Sequence, residues 1–181
     1  MEILRTISLY AEAKKIPFLI IGGHAINYYG FSRQTGDVDL LVKLADKNWW
    51  IELFNKLKYE VSQNDDKFIR MRAKTLAAWP IDFMLVDDNT FDKLNNHSVQ
   101  ATLGVADVRV VSPNHLVTLK LHALRHYQEH RFQKDYNDII WLLRNKKTTL
   151  DDNEIKELCL KYATLEIYEK IRQDLSYDPK R

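Results

Sequence analysis

The sequence predicts an α+β fold: a short mixed sheet flanked by helices, followed by a C-terminal helical bundle. Three observations carry that expectation. Phe18-Leu19-Ile20-Ile21 is apolar throughout, as a strand buried on both faces is, and it runs into Gly22-Gly23. Asp37-Val38-Asp39-Leu40 alternates acid with apolar residue, the period of a strand with one polar face. From Leu116 onward the chain reads as helix to its end, with breaks expected near Arg131-Phe132, at Lys146–Thr149 and near Ala163-Thr164. The expected division is a core over 1–112 and a helical region over 113–181 packed on it, since no linker or low-complexity tract separates them.

The elements follow in order. Ile3, Leu4, Ile7 and Ala11 have helical spacing, and Pro17 closes that helix before the first strand. His24–Tyr29 reads as a short helix stopped by Gly30 at its C′ position. Ala45–Leu57 is a longer helix with Trp50, Ile51, Phe54 and Leu57 on its buried side, and Trp49-Trp50 are read as core aromatics. Lys67–Arg72 alternates with Ile69 and Met71 inward and Arg70 and Arg72 opposite. Pro80 then leads a second strand, Ile81–Val86, at hairpin distance. Two further short strands, around Ser98–Leu103 and Val108–Val111, flank Gly104, and Ser112-Pro113 opens the helical region.

Composition sets outer bounds. At 181 residues, 45% hydrophobic and 29% charged, the chain is an ordinary globular domain with a helical appendage. A net charge of +2 and a pI near 8.5 neither demand nor exclude a nucleic-acid partner. The single cysteine, Cys159, permits no internal disulfide and fits a reducing compartment. The N-terminus has no signal-peptide pattern and no stretch approaches membrane-span length, so the expectation is a cytoplasmic protein with no membrane partner.

The chemistry concentrates in residues 18–42. A strand that turns through glycines into a helix presents backbone N–H groups at a positive helix end, which suits phosphate. Asp37 and Asp39 share one strand face and repel each other unless a cation lies between them, and oxygen donors of this kind suit Mg²⁺. Asp82 stands among Ile81, Phe83, Leu85 and Val86, where an acid is costly unless something positive meets it. A phosphate cradle beside a divalent-metal site equips a protein for phosphoryl or nucleotidyl transfer. His122, His126 and His130 recur on one helix face, but no cysteine or carboxylate pair completes a zinc site there. Arg125 and His130 also have the spacing of a two-residue ribonuclease motif that arises easily by chance.

Ile21-Gly22-Gly23 followed by Asp37-Val38-Asp39-Leu40 resembles the signature of the DNA polymerase β-like nucleotidyltransferases. The longer string from Gly22 through Arg33 and Thr35 to Asp39 is similar to the AbiEii-type branch, which contains many toxins of toxin–antitoxin systems. It resembles the aminoglycoside and lincosamide nucleotidyltransferases somewhat less closely. The resemblance implies a metal-dependent enzyme that moves a nucleoside monophosphate from an NTP to an acceptor hydroxyl and releases pyrophosphate. It implies that Gly22 and Gly23 cradle the β- and γ-phosphates, with Arg33 and Thr35 contacting the triphosphate or positioning the loop. Asp37 and Asp39 then hold two Mg²⁺ ions, and Asp82 completes one metal site and accepts the hydroxyl's proton. The resemblance also implies that Lys120 contacts the nucleotide triphosphate, with Asp135 or Asp138 orienting it or lining the acceptor site. The implied partners are an NTP, a tRNA acceptor and a cognate antitoxin protein. Arg33, Arg70, Arg72, Lys120, Arg125, Arg131 and Lys134 form a basic set that favours a polyanionic acceptor over a polycationic drug. The alternatives are an antibiotic nucleotidyltransferase and a non-catalytic NTP-binding module; the intact set of three acids argues against the second.

Overall fold

A computed structural model describes residues 2–74, 78–125 and 129–176, without the side chains of 129–131. The chain forms two compact units, Met1–Ser112 and Pro113–Arg181.

The first unit begins with α1 (Glu2–Lys14), β1 (Phe18–Ile20), α2 (Gly22–Tyr28) and β2 (Val38–Lys43). After a 3₁₀ turn at Leu44–Asp46 come α3 (Lys47–Lys56), β3 (Tyr59–Asn64), β4 (Phe68–Ala73) and β5 (Ile81–Val86). It ends with α4 (Asp88–Asn96), β6 (Val99–Leu103) and β7 (Ala106–Val110). The seven strands make one mixed sheet in the order β3-β4-β5-β2-β1-β7-β6. The central strand β2 runs antiparallel to β1 and parallel to β5, and β1 runs parallel to β7. The outer pairs β3–β4, β4–β5 and β6–β7 are antiparallel.

The all-apolar run at Phe18–Ile20 is buried at every residue, the fate of a strand with neighbours on both sides and cover on both faces. Helix α3 lays Trp50 and Phe54 on the sheet. Trp50 meets Phe18 edge-on at 5.8 Å and Phe83 at 5.9 Å, and Phe54 meets Phe83 edge-on at 5.4 Å, the offset geometries that ring quadrupoles favour. Leu53 joins this buried face, whereas Ile51 and Leu57 stop half-buried. Trp49 departs from the expectation of a core residue: it is 42% exposed, with the Lys14 ammonium 4.1 Å above its ring. Successive helical residues point about 100° apart, so only one of an adjacent Trp pair can face the sheet.

Helix α2 begins at Gly22 itself, not after the glycine pair, and Gly22 has a φ of +60°. Two elements have no counterpart in the sequence expectations. β3 is an edge strand, polar at most positions and interrupted by a bulge between Val61 and Gln63, so it carries almost no hydrophobic alternation. α4 is announced by its cap: the Asp87 side chain accepts from the Thr90 N–H at 2.9 Å.

The second unit contains α5 (Pro113–Arg125), α6 (Glu129–Arg144), α7 (Asp152–Tyr162) and α8 (Leu165–Ser176). α6 runs through Arg131 and Phe132, so the break expected near them is not at these two residues; α5 ends at Arg125, and the later two breaks fall where expected. A reciprocal capping box between Asp151 and Glu154 starts α7. The Tyr136 hydroxyl donates to Asp174 at 2.7 Å, joining α6 to α8. Burial pushes the Cys159 thiol up to about 11, so it stays an unreactive core group. His126 and the side chains of His130 and Arg131 lie outside the described residues, and so do the readings that rest on them. No helix among the described residues is long and apolar enough to cross a membrane.

Candidate active site

The parallel pairing of β2 with β5 sets Asp39 directly opposite Asp82, and Asp37 immediately precedes β2. One carboxylate oxygen from each of Asp37, Asp39 and Asp82 lies within 4.8 Å of the others. Asp37 and Asp39 are half-buried; Asp82 is only 2% exposed. The three acids that the sequence selected therefore meet at one point on the sheet.

Each acid is held by a separate neighbour. The Thr35 hydroxyl donates to Asp37 Oδ1 at 3.0 Å. The Gly23 N–H donates to Asp39 Oδ2 at 3.4 Å, so this amide in the glycine turn serves the carboxylate directly. Arg70 on β4 stands opposite Asp82 in the strand register and grips it with two nitrogens, Nε donating to Oδ1 at 2.8 Å and Nη2 to Oδ2. The hydrogen bonds to Asp82 raise the Arg70 pKa against the opposing effect of burial, and the charges of Asp82, Asp37 and Asp39 add to the rise. A metal ion between the three acids would meet their carboxylates. The donors are all carboxylate oxygens, a set that fits a hard divalent cation such as Mg²⁺.

The glycines are required by close packing as well as by conformation. A Cβ on Gly22 would overlap the Asp39 carboxylate, and its positive φ strains any L side chain. A Cβ on Gly23 would lie 2.7 Å from Thr35 Cβ and 3.4 Å from Arg33 Nη1. The start of α2 is thus pressed against the acids and their supporting loop. Gly22→Ala is expected to displace Asp39, lower transfer activity by about 100-fold and cost about 1–3 kcal/mol of stability. Turnover measured beside a thermal melt checks this, and an active, equally stable variant would contradict it.

The loop before Asp37 is clamped by Asn27 of α2. Its side-chain amide donates to the Arg33 carbonyl at 2.9 Å, and its oxygen accepts from the Arg33 N–H at 3.0 Å. Sequence reasoning did not single out Asn27; an amide inside a short helix close to a loop of candidate residues was the available signal. The Arg33 side chain donates to the Gln34 carbonyl at 3.2 Å. Lys120 belongs to the second unit. Its ammonium lies between Asp135 and Asp138, 2.8 Å from Asp138 Oδ2, and all three residues are buried.

A mixed sheet with three converging carboxylates beside a glycine turn defines a nucleotidyltransferase-like architecture, and solved structures share the fold. An antigenic nucleotidyltransferase-like protein from Paracoccidioides brasiliensis is 19% identical, with 96% of this chain and 90% of that one covered, at a TM-score of 0.59. ANT(2″)-Ia, solved in complex with adenylyl-2″-tobramycin, is 13% identical over 93% of this chain and 94% of its own, also at 0.59. The lincosamide antibiotic adenylyltransferase LnuA, in its lincomycin-bound structure, is 14% identical over 71% of this chain and 87% of its own, at 0.52. No curated protein matches the sequence. The sequence profile of the family described as "Nucleotidyl transferase AbiEii toxin, Type IV TA system" matches residues 2–174, and the chain belongs to that family. It is a nucleotidyltransferase.

Proposed function

We propose that the protein is a metal-dependent toxin that transfers a nucleoside monophosphate from an NTP to a hydroxyl at the end of a tRNA. The observation that carries this reading is the convergence of Asp37, Asp39 and Asp82 beside the Gly22-Gly23 turn. Two Mg²⁺ ions, held by Asp37 and Asp39 with Asp82 on one of them, would neutralise phosphate oxygens and polarise the attacking hydroxyl.

The chain's own residues do the rest. The acceptor oxygen forms a bond to the α-phosphorus as the bond from that phosphorus to the pyrophosphate oxygen breaks, and pyrophosphate leaves. The hydroxyl proton passes to Asp82; Arg70 uses one lone pair on each of its oxygens, and a carboxylate keeps further acceptor capacity. Gly22 and Gly23 permit the close approach of the triphosphate, and the Arg33 guanidinium beside Gly23 meets its negative charge. Thr35 and Arg70 keep Asp37 and Asp82 in place.

Family membership supports a toxin with a cognate antitoxin partner, and the single cysteine, Cys159, fits work in the reducing cytoplasm. The basic side chains in the first unit support a polyanionic acceptor. Arg72 follows Arg70 by two residues on β4, so both stand on the strand face that Asp82 occupies. The test is incubation with α-labelled NTPs, Mg²⁺ and either total tRNA or a panel of aminoglycosides. Label on tRNA is expected. Label on a drug would replace the acceptor, and no transfer to either would remove the reading. In cells, growth arrest by the wild type but not by the Asp37→Ala/Asp39→Ala variant is the matching outcome.

A further inference from the structure

His24 follows the glycine pair, and its ring takes no part in the transfer chemistry above. It is 7% exposed, and its Nε2 has no hydrogen-bond partner among the described residues. Its ring is stacked on that of Trp79, with centroids 5.2 Å apart and planes 16° apart. Trp79 is nonetheless 37% exposed.

The backbone fixes this pair at the edge of the acid site. Tyr59 donates its hydroxyl to the Trp79 carbonyl at 3.1 Å. The next carbonyl, of Pro80, accepts from the Val38 N–H at 2.9 Å, between Asp37 and Asp39 in the chain. His24 directly follows Gly23, whose N–H donates to Asp39 Oδ2. The indole therefore stands on segments that touch the triad from two sides, backed by a second aromatic ring and open to solvent. An indole whose role was to seal the core would be covered, as Trp50 is.

We propose that Trp79, supported by His24, is a stacking platform for a nucleobase at the rim of the active site. This rests on the nucleotidyl-transfer reading and adds a substrate-binding element to it. Every base presents a π face, so such a platform holds a base without reading its hydrogen-bonding edge. The base belongs either to the incoming NTP or to the acceptor RNA, and two binding arms distinguish these sources. Trp79→Leu keeps apolar bulk and removes the aromatic face, whereas Trp79→Phe keeps one. Dissociation constants are measured for a non-hydrolysable NTP analogue with Mg²⁺ and for a short single-stranded RNA.

Trp79→Leu is expected to weaken one of the two ligands about tenfold, with Trp79→Phe staying within about threefold of wild type. The ligand that weakens names the source of the base. Unchanged affinity for both ligands in Trp79→Leu, or equal losses in the Leu and Phe variants, would overturn the platform. Should Trp79→Leu fail to melt cooperatively, the emission difference between wild type and Trp79→Phe decides: quenching of that component by either ligand supports the platform and its absence overturns it. Wild-type protein that transfers no labelled nucleotide defeats the enzyme reading itself. Transfer that proceeds with unaltered binding in Trp79→Leu defeats only the platform.

Discussion

Asp39→Asn is expected to reduce nucleotidyl transfer by about three orders of magnitude while leaving the metal-free protein as stable as wild type or more so. Asp39 is the acid that β2 places opposite Asp82, with the Gly23 N–H on its Oδ2. Asparagine has the same shape and keeps an oxygen for that N–H, so packing survives and one negative charge disappears. The loss removes a ligand from the proposed metal site, and a thousandfold drop corresponds to about 4 kcal/mol of transition-state stabilisation, within reach of a metal contribution. Without metal, three carboxylates within 4.8 Å of one another repel, and Arg70 is the cation that grips one of them. Removing one charge relieves that repulsion. The rise in melting temperature on adding Mg²⁺ should then shrink in the variant, because stabilisation by a ligand follows its affinity for the folded state. NTP affinity should fall further in Asp39→Asn than in Arg33→Ala, since a metal is the larger local charge. Scanning calorimetry with Mg²⁺ and with EDTA, beside single-turnover transfer, checks all of this. Transfer within tenfold of wild type would end the assignment of the triad.

The part of the site legible in the sequence is the part built from short-range pattern. Gly22-Gly23 and the alternation through Asp37 and Asp39 lie within one stretch of chain, and period-2 geometry alone puts those two acids together. Asp82 was legible for a different reason: an acid within an apolar strand demands a counter-charge. The identity of that counter-charge was not legible, because Arg70 meets Asp82 through the register of β4 on β5. Register depends on the connection between the strands, which carries no turn signature strong enough to fix it. His24 and Trp79 are brought together only by the sheet, and each alone reads as an ordinary core residue. Asn27 was passed over because a side chain that clamps a loop has no periodicity to betray it. The elements missed outright, β3 and α4, bury few residues, and hydrophobic patterning is silent where little is buried.

The glycine pair shows how a sequence signal can be right in location and incomplete in mechanism. Sequence reasoning valued the glycines for the N–H groups they expose to phosphate. In the structure their lack of a side chain also lets the start of α2 lie against Asp39 and Thr35, and the Gly23 N–H is directed at Asp39. The same two residues thus position the acids and leave the backbone accessible. That dual demand explains why Gly22 lies where a Cβ would collide and also adopts a left-handed φ.

Lys120→Met is expected to destabilise the second unit by about 3–5 kcal/mol, the loss typical when one partner of a buried ion pair is removed. The Lys120 ammonium on α5 lies between Asp135 and Asp138, which stand three residues apart on one face of α6. Methionine fills nearly the same volume, so no cavity accompanies the change, and two buried carboxylates are left without their cation. Burial acts to lower the Lys120 pKa, but the charges and hydrogen bonds of Asp135 and Asp138 outweigh it, and the folded value is raised. For a lysine with a raised folded pKa, the stabilisation is fully present below the unfolded value of about 10.4 and is lost as pH rises through the folded one. This contribution should therefore be flat across neutral pH in the wild type and fade only in strongly alkaline buffer. Denaturant unfolding at pH 7, with no nucleotide or metal present, is the measurement. Lys120→Met/Asp138→Asn should recover part of the loss, because it removes one of the stranded charges. A Lys120→Met protein that keeps its stability but loses NTP affinity would instead assign the ammonium to the triphosphate contact that the resemblance implies.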